Sequence, residues 1–376
     1  MIIDCDQHLY ESRDLWREHI DPKHRDDALA IEDDDLGYTW VTWRGDPLEM
    51  ADVQLPKDTV ALGTHRNRRR RGERAEYDYD ESLPDDYWDP VARVKRLDEL
   101  GLDEAFLFPN FGLLWERRLS VDLPALTANM AAWNRWCASV RADGNGRLNP
   151  VAHLTLRDPD WLRGQLAELS AAGVRLAMIA PALVDGRPLS DPAHDPMWAA
   201  FVDHDISPVF HVADQPRIFE DAWYTDDDDD FVPALESVFL WAPPALAVTD
   251  LIANGTFQRH PDLRLGIIEL SAIWVPMFLL MLDGGIEFVA RQNGRPICDL
   301  DLKPSEYFKR QVRVAAFSFE DPNRIKGKSD DLYMACSDFP HSEGTDTPLD
   351  DYRGMGTHPE DEASLFHDNA AFLLRR

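Results

Sequence analysis

The stretch Ile2-Ile3-Asp4-Cys5-Asp6-Gln7-His8 runs two apolar residues straight into a carboxylate and an imidazole spaced i and i+2. On an extended chain, residues two apart point to the same side. Asp6 and His8 can therefore reach one cation together, and such a donor pair suits a borderline divalent metal such as zinc or manganese. Taken alone, the pair reads equally well as a solvated acidic turn. Further along, single polar residues recur at or near the ends of apolar runs: His153, His211, Glu269 and Asp338, with His341 three residues beyond Asp338. One Asp or His at a strand end means little. A set from several strand ends on one rim is what a metal site would look like. Mixed acid and imidazole donors point to zinc, manganese or iron(II) and away from a magnesium or calcium cage built of oxygens alone.

What must position these residues is the rhythm of the chain. Apolar runs at 2–5, 104–109, 148–154, 174–179, 207–212, 263–269, 311–316 and 332–337 read as short strands. Helical segments at 91–100, 123–142, 158–171, 196–203, 249–257 and 272–290 separate them, and a tail helix spans 359–374. Asp158-Pro159 opens a helix that Gly173 ends. Trp133, Trp136 and Val140 at helical spacing form a core stripe. Strand alternating with helix implies a parallel sheet. Eight repeats of it predict a closed (β/α)8 TIM barrel, whose chemistry sits at the C-terminal strand ends. A doubly wound open sheet would want a Gly-rich phosphate loop after the first strand, and Asp4-Cys5-Asp6-Gln7-His8 is nothing like one.

The expectation is one metal-dependent barrel domain over 1–376 with insertions at about 30–88 and 213–244. The first insertion holds a hairpin around Tyr38 to Gly45, a basic cluster at 66–71 and an acidic one at 78–86, both read as solvated loop. The second holds the acidic run 226–230. That run is a solvated loop rather than a metal site, because consecutive carboxylates point all ways. Trp40, Trp43, Trp223 and Trp241 either line an aromatic-binding pocket above the rim or cement the insertions to the barrel or to a second subunit.

Composition bounds the function. A 44% hydrophobic content with 12 Trp and 17 Phe supports a sizeable core, and a net charge of -30 argues against nucleic acid and anionic membrane surfaces. No run approaches the roughly 18 apolar residues of a membrane span. The first residues lack the basic leader and apolar run of a signal peptide. Cys5, Cys137, Cys298 and Cys336 lie far apart and read as reduced thiols of a cytoplasmic protein, with Cys5 and Cys336 as small packing residues. His153, inside its strand, and His260, before Pro261, read as structural.

The chain at this point resembles the amidohydrolase-related family that includes α-amino-β-carboxymuconate-ε-semialdehyde decarboxylase. The resemblance rests on the stretch from Ile2 to His8, on Arg147-Leu148-Asn149-Pro150-Val151, and on Asp195-Pro196-Met197-Trp198 leading to Pro208-Val209-Phe210-His211. It continues through His260-Pro261-Asp262-Leu263-Arg264-Leu265, Glu269 with Trp274-Val275-Pro276, Ser337-Asp338-Phe339-Pro340-His341 and Asn369-Ala370-Ala371. It implies a metal-dependent barrel enzyme, commonly dimeric, with one divalent ion held by Asp6, His8, His211 and Asp338. Zinc comes first, with manganese or iron as alternatives.

The chain departs from the family where many relatives begin His-x-His or Glu-x-His and several place a His at the Glu269 position. Those changes leave the metal, and the role of Glu269 as ligand, base or anchor, open. The implied activity is hydrolysis by a metal-activated water of a C–N or C–C bond next to a carbonyl, in a small aromatic or carboxylated substrate. Asp338, His341 and Glu269 are the catalytic candidates. Non-oxidative decarboxylation is the alternative, and a barrel that has lost catalysis and serves as a binding module is a third reading.

Overall fold

The computed structural model describes residues 1–51, 62–111, 115–212, 217–224 and 234–376. Eight parallel strands form one sheet: β1 (Ile3–Leu9), then β5 (Glu104–Pro109), β6 (Leu148–His153), β7 (Leu176–Met178), β8 (Ser207–Phe210), β9 (Leu265–Ile267), β10 (Val312–Ala316) and β11 (Tyr333–Ala335), hydrogen-bonded in that order. The intervening β2 (Leu29–Asp33), β3 (Thr39–Trp43) and β4 (Asp46–Met50) make a separate antiparallel sheet. The barrel closes just past β11. There the His8 N–H donates to the Phe339 carbonyl at 2.8 Å and the Asp338 N–H to the Asp6 carbonyl at 2.9 Å. The (β/α)8 expectation holds, and the residues that close the barrel are neighbours of, or are, the candidate site residues.

Alternation along each strand sorts the side chains, as a closed barrel requires. Phe106 and Phe108 of β5 point inward with Ile3, Cys5, Val151, Leu176, Met178, Val209, Met334 and Cys336. Ala105 and Leu107 point outward against the helices. The inner cluster is completed by Ala370, Ala371, Leu373 and Leu374 of the C-terminal segment, and the Ser207 hydroxyl donates to the Leu373 carbonyl at 2.7 Å. Cys5 and Cys336 are buried packing residues of this interior, as expected.

Most helices lie where periodicity puts them. Pro159–Ala171 is capped by Asp158, whose side chain accepts from the Trp161 N–H, and Leu123–Asp143 buries Trp133 and Val140. Four readings need correction. The segment 249–257 is two helices, Ala242–Ala253 and Thr256–Arg259, because Gly255 takes a left-handed φ of 75° between them. The tail is one turn of π-helix, Ser364–Asp368, running into Asn369–Leu373, and its helix starts later than predicted. The basic cluster belongs to the helix Leu62–Arg70 rather than to a loop, paired with acids of the same insertion: Arg66 with Glu49, Arg68 with Glu76, Arg69 with Asp34. The acidic stretch likewise forms two short helices, Tyr79–Ser82 and Asp85–Trp88. The predicted hairpin is the centre of the three-stranded sheet. The acidic run 226–230 lies outside the described residues. No helix among the described residues is long and apolar enough to cross a membrane.

Candidate metal centre

A bulge in β1 aims the first two candidates. Asp4 pairs with Ala105 and Gln7 with Leu107, so Cys5 and Asp6 together oppose the single residue Phe106. The extra residue shifts the alternation. Ile3 and Cys5 face inward, and past the bulge His8, opposite Phe108, faces inward too. His211 is the first residue past β8, Glu269 the second past β9 and Asp338 the third past β11, all at the C-terminal rim.

These side chains meet. His8 Nε2 lies 3.5 Å from Asp6 Oδ1 and 3.2 Å from Asp338 Oδ1. His211 Nε2 lies 3.3 Å from Asp6 Oδ1 and 3.2 Å from Glu269 Oε2. His341 Nδ1 lies 2.9 Å from Asp338 Oδ1, and its ring stacks on that of His8 at 3.8 Å. Asp6, His8, His211 and Asp338 are all 2% exposed or less. Asp6, His8, His211 and Glu269 each offer a ligand atom within 4.8 Å of one another, and so do Glu269, Asp338, His341 and Glu343. All six candidates are brought together. Glu343, which the sequence reading passed over, adds a further carboxylate at the mouth.

Both imidazoles are oriented from behind. His8 Nδ1 donates to the Pro109 carbonyl at 3.2 Å and His211 Nδ1 to the Val212 carbonyl at 3.0 Å. A carbonyl can only accept, so each ring presents Nε2 to the cluster, the usual way a ligating histidine is fixed. Phe108 packs against His211 at 4.2 Å. His341 reaches the Asn110 Oδ1 at 2.9 Å through Nε2.

The backbone beneath Asp338 and Glu269 is left-handed, with φ of 58° and 55°, and Ser271 adds 60°. Such conformations in non-glycine residues persist only where surroundings impose them. At Glu269 the surrounding group is Glu320. Its Oε1 accepts from the Ser271 hydroxyl at 2.6 Å and the Ala272 N–H at 2.8 Å. At Asp338 the loop returns through Gly344, where a Cβ would stand 2.4 Å from the Asp338 carbonyl oxygen, so no other residue fits.

Electrostatics divide the acids into two kinds. Burial pushes Asp338 up, but His341 and His8 outweigh it and hold the carboxyl well below the ordinary range. Asp6 is held down in the same way, chiefly by His211 against its burial. Glu269 goes the other way: burial, then the charges of Asp338 and Asp6, hold it well above the usual carboxylate value. His8 is raised despite burial by Asp338 and Asp6.

The cluster fits a divalent cation. Asp6 Oδ2, His8 Nε2, His341 Nδ1 and both oxygens of Asp338 are buried without a hydrogen bond. Buried carboxylates without partners are strongly destabilising, and a cation among them satisfies the set. Two imidazole nitrogens with carboxylates match a borderline metal better than a hard one.

His153 stands apart, bound through Nε2 to Glu116 at 3.2 Å under Trp115, and His260 binds Asp195 at 3.2 Å. Trp241 stacks on Trp274 at 6.1 Å, Trp40 lies under Arg69, and Trp43 packs on the main core. Those three cement the insertions, while Trp223 is exposed.

Sequence reasoning missed what holds β1 to β11. Asp4 Oδ1 accepts from the N–H groups of Asp6 (3.1 Å) and Ser337 (3.0 Å), and Oδ2 from the Gln7 amide (2.8 Å) and the Ser337 hydroxyl (2.5 Å). The buried Arg93 donates to Gln7 Oε1 at 3.2 Å and to the His8 carbonyl at 2.8 Å. The only available signal was Asp4 itself, a carboxylate inside an apolar strand.

The fold has solved counterparts. An amidohydrolase from Mycobacterium avium subsp. paratuberculosis K-10 matches at 24% identity over 99% of this chain and 98% of its own, with a TM-score of 0.77. A 5-carboxyvanillate decarboxylase from Novosphingobium aromaticivorans, solved with bound manganese and 3-methoxy-4-hydroxy-5-nitrobenzoic acid, matches at 16% over 100% and 97%, with a TM-score of 0.66. The 2,6-dihydroxybenzoate decarboxylase from Rhizobium matches at 16% over 100% and 98%, with a TM-score of 0.61. The sequence matches no curated protein. A family model described as amidohydrolase matches residues 3–314, from the first residue of β1 into β10, and this chain, an enzyme by fold and lineage, belongs to the amidohydrolase family.

Proposed function

We propose that the chain is a metal-dependent hydrolase acting on a C–N or C–C bond next to a carbonyl of a small aromatic or carboxylated substrate, with Asp6, His8, His211 and Asp338 as ligands. The observation that carries this reading is the convergence on one point of the rim of buried Asp6 Oδ2, His8 Nε2 and both Asp338 oxygens, none of them hydrogen-bonded. Zinc is the proposed ion, with manganese or iron(II) as alternatives; the mixed donor set supports all three. Such an ion, when bound, supplies Lewis acidity, lowering the pKa of water from about 15.7 toward about 7 and polarising a carbonyl.

The chain's own residues do the rest. Asp338, held deprotonated, accepts a proton from the attacking water through the oxygen not committed to binding. His341, 2.9 Å away and backed by Asn110, carries that proton toward the mouth. Glu269, whose carboxyl is biased toward its protonated form by burial and by the charges of Asp338 and Asp6, hands a proton to the leaving group. The four unpaired cysteines support a cytoplasmic location.

Elemental analysis of the purified protein tests the reading. A near-stoichiometric divalent metal is expected, with loss of it in His211→Ala. A metal-free wild type that binds none on reconstitution would sink it and favour the binding-module reading.

Decarboxylation is the second reading, and one feature favours it: a protonated Glu269 beside the cluster could equally protonate a carbon that loses carbon dioxide. Metal-replete protein with a panel of hydroxybenzoates separates the two. Carbon dioxide release, with no oxygen from labelled water in the product, would replace hydrolysis by decarboxylation.

A further inference from the structure

The donors at the rim are too many for one ion. Asp6, His8, His211 and Glu269 form one set, and Glu269, Asp338, His341 and Glu343 form another, each with its ligand atoms within 4.8 Å of one another. Only Glu269 belongs to both, so the two sets together hold seven residues. Zinc takes about four or five ligands, and an octahedral ion about six. The first set is buried apart from the half-buried Glu269, whereas in the second Glu269 and His341 are half-buried and Glu343 is exposed. The second set therefore lies outward of the first, toward solvent.

Asp338 stands between the two. Its Oδ1 lies 3.2 Å from His8 Nε2 and 2.9 Å from His341 Nδ1. The side chain is fully buried and neither oxygen is hydrogen-bonded, so each oxygen is open to a different ion. We propose that Glu269, Asp338, His341 and Glu343 form a second divalent-cation site, outward of the first and weaker, which takes zinc or manganese and shares Asp338 and Glu269 with the first.

Three observations support it. The first is the orientation of His341. Its Nε2 donates to Asn110 Oδ1 at 2.9 Å, and an amide oxygen only accepts. The neutral ring therefore turns the lone pair of Nδ1, a buried atom without a hydrogen bond, toward Asp338 Oδ1. Two such lone pairs 2.9 Å apart repel unless a proton or a metal ion joins them.

The second is Glu343. Among the described residues its carboxylate makes no ion pair and accepts one hydrogen bond, from the Ser342 hydroxyl at 3.0 Å. It nevertheless lies within 4.8 Å of the other three donors, two of them acids. Like charges at this range repel, and a cation among them reverses the sign. The third is the charge of the whole rim. Asp6, Glu269, Asp338 and Glu343 carry four negative charges when ionised. One divalent ion offsets two of them and a second offsets the rest, and buried charges persist where they are paired.

The outer set has one imidazole where the inner has two, and one of its ligands is open to water, so its ion is the more readily exchanged. On the reading above, Asp338 and His341 pass on a proton and Glu269 gives one. An ion in the outer set takes over the lone pairs that those steps use.

The site rests on the reading that the inner donors hold an ion, and titration of manganese(II) into the metal-free full chain separates the two. Two equivalents are expected, the second at least ~10-fold weaker than the first. At one equivalent the electron paramagnetic resonance spectrum should be that of an isolated ion. At two it should be that of a coupled pair, because ions sharing a two-metal site lie roughly 3.5–4 Å apart. Glu343→Gln, a change to one exposed side chain, should keep the first equivalent and weaken the second by at least ~10-fold. Should that variant fail to fold, His341→Asn gives the same comparison. A single equivalent up to ~1 mM metal overturns the second site and leaves the functional reading standing, whereas no bound metal overturns both. A second equivalent that shows no coupling, or that Glu343→Gln leaves unchanged, is binding to scattered acids of a chain with a net charge of -30 and overturns the proposal. So does loss of both equivalents in a folded Glu343→Gln, which would make all the donors one site.

Discussion

Asp4 and Asp6 sit two residues apart on one strand, and both are buried, at 2% and 0% exposure. Their surroundings are opposite. Asp4 accepts four hydrogen bonds and locks β1 to the strand end that closes the barrel. Asp6 leaves Oδ2 bare, beside an Asp338 with neither oxygen hydrogen-bonded. A carboxylate whose lone pairs are filled by backbone and hydroxyl donors is part of the scaffold, whereas carboxylates without hydrogen bonds, facing imidazoles that are themselves ligand types, suit a cation. Burial alone does not tell the two apart; the kind of neighbour does.

The largest effect should come from the bare side. Asp338→Asn keeps the shape and removes the charge. Altering a residue that merely supports a ligand weakens metal binding by roughly 10–100-fold, so loss of a ligand should exceed ~100-fold, with activity falling in step. In metal-free protein the same change gives up the ion pairs with His8 and His341 while relieving repulsion from Asp6, so thermal stability should fall only modestly. Metal titration and melting curves read both. A variant that binds metal as wild type, or that melts far lower without metal, would put Asp338 with Asp4 in the scaffold.

The satisfied side should respond the other way. Asp4→Ala strands four donors in the barrel wall, and each buried unsatisfied group costs about 1–3 kcal/mol. Denaturant titration should show a loss of at least ~3 kcal/mol, while the fraction that folds still binds metal. Burial also raises the Asp4 carboxyl to about 6 against the pull of its hydrogen bonds. The folded state therefore holds a proton that the unfolded chain releases nearer pH 4. This contribution is largest below about pH 4 and declines as pH rises toward about 6, by up to ~3 kcal/mol. Relative to wild type, Asp4→Asn should gain ground over that interval. A difference that stays flat with pH would mean that Asp4 is charged throughout.

How much of this was legible beforehand follows from the same pair. Eight apolar runs at barrel spacing announce the fold, and acid or imidazole residues at the ends of four of them announce the rim. Asp6 and His8 share a side because residues two apart do so on any extended chain. The sequence does not reveal that Cys5 and Asp6 both turn inward. That comes from the bulge, beside which Asp4 grips Ser337, more than three hundred residues away. The arginines of Leu62–Arg70, which pair across an insertion, were hidden likewise, because their structure is set by distant partners rather than by local periodicity. Gly255, which splits one predicted helix, was a local signal passed over.

A smaller effect probes how closely the two kinds of site are coupled. Gly344→Ala puts a methyl against the Asp338 carbonyl, with backbone on both sides and no flexible side chain to yield. The loop must shift, and Asp338 with it. Overpacking of this sort costs about 1–3 kcal/mol, and metal affinity should drop about 10-fold, as for other losses of ligand support. Loss of stability with undiminished affinity would show that the Asp338 turn moves without carrying the carboxylate.

The smallest signal is a count of protons. In metal-free protein His8 is held above its ordinary value by Asp338 and Asp6, and Glu269 above its own by burial and those same charges. Both are therefore biased toward holding a proton in or beside the space a cation would take. Ligation needs a bare imidazole, so binding must expel about one proton from His8, and a second if Glu269 also ligates. Affinity should rise with pH until these groups are bare and fall as acid returns the protons. Calorimetric titration of metal into the apoprotein, repeated in buffers of different ionisation enthalpy, gives the number directly. About one released proton would leave Glu269 protonated and available to a leaving group, and about two would make it a ligand. Heat independent of the buffer would mean that the bare cluster is already deprotonated, and the contrast between Asp4 and its neighbours would then rest on geometry alone.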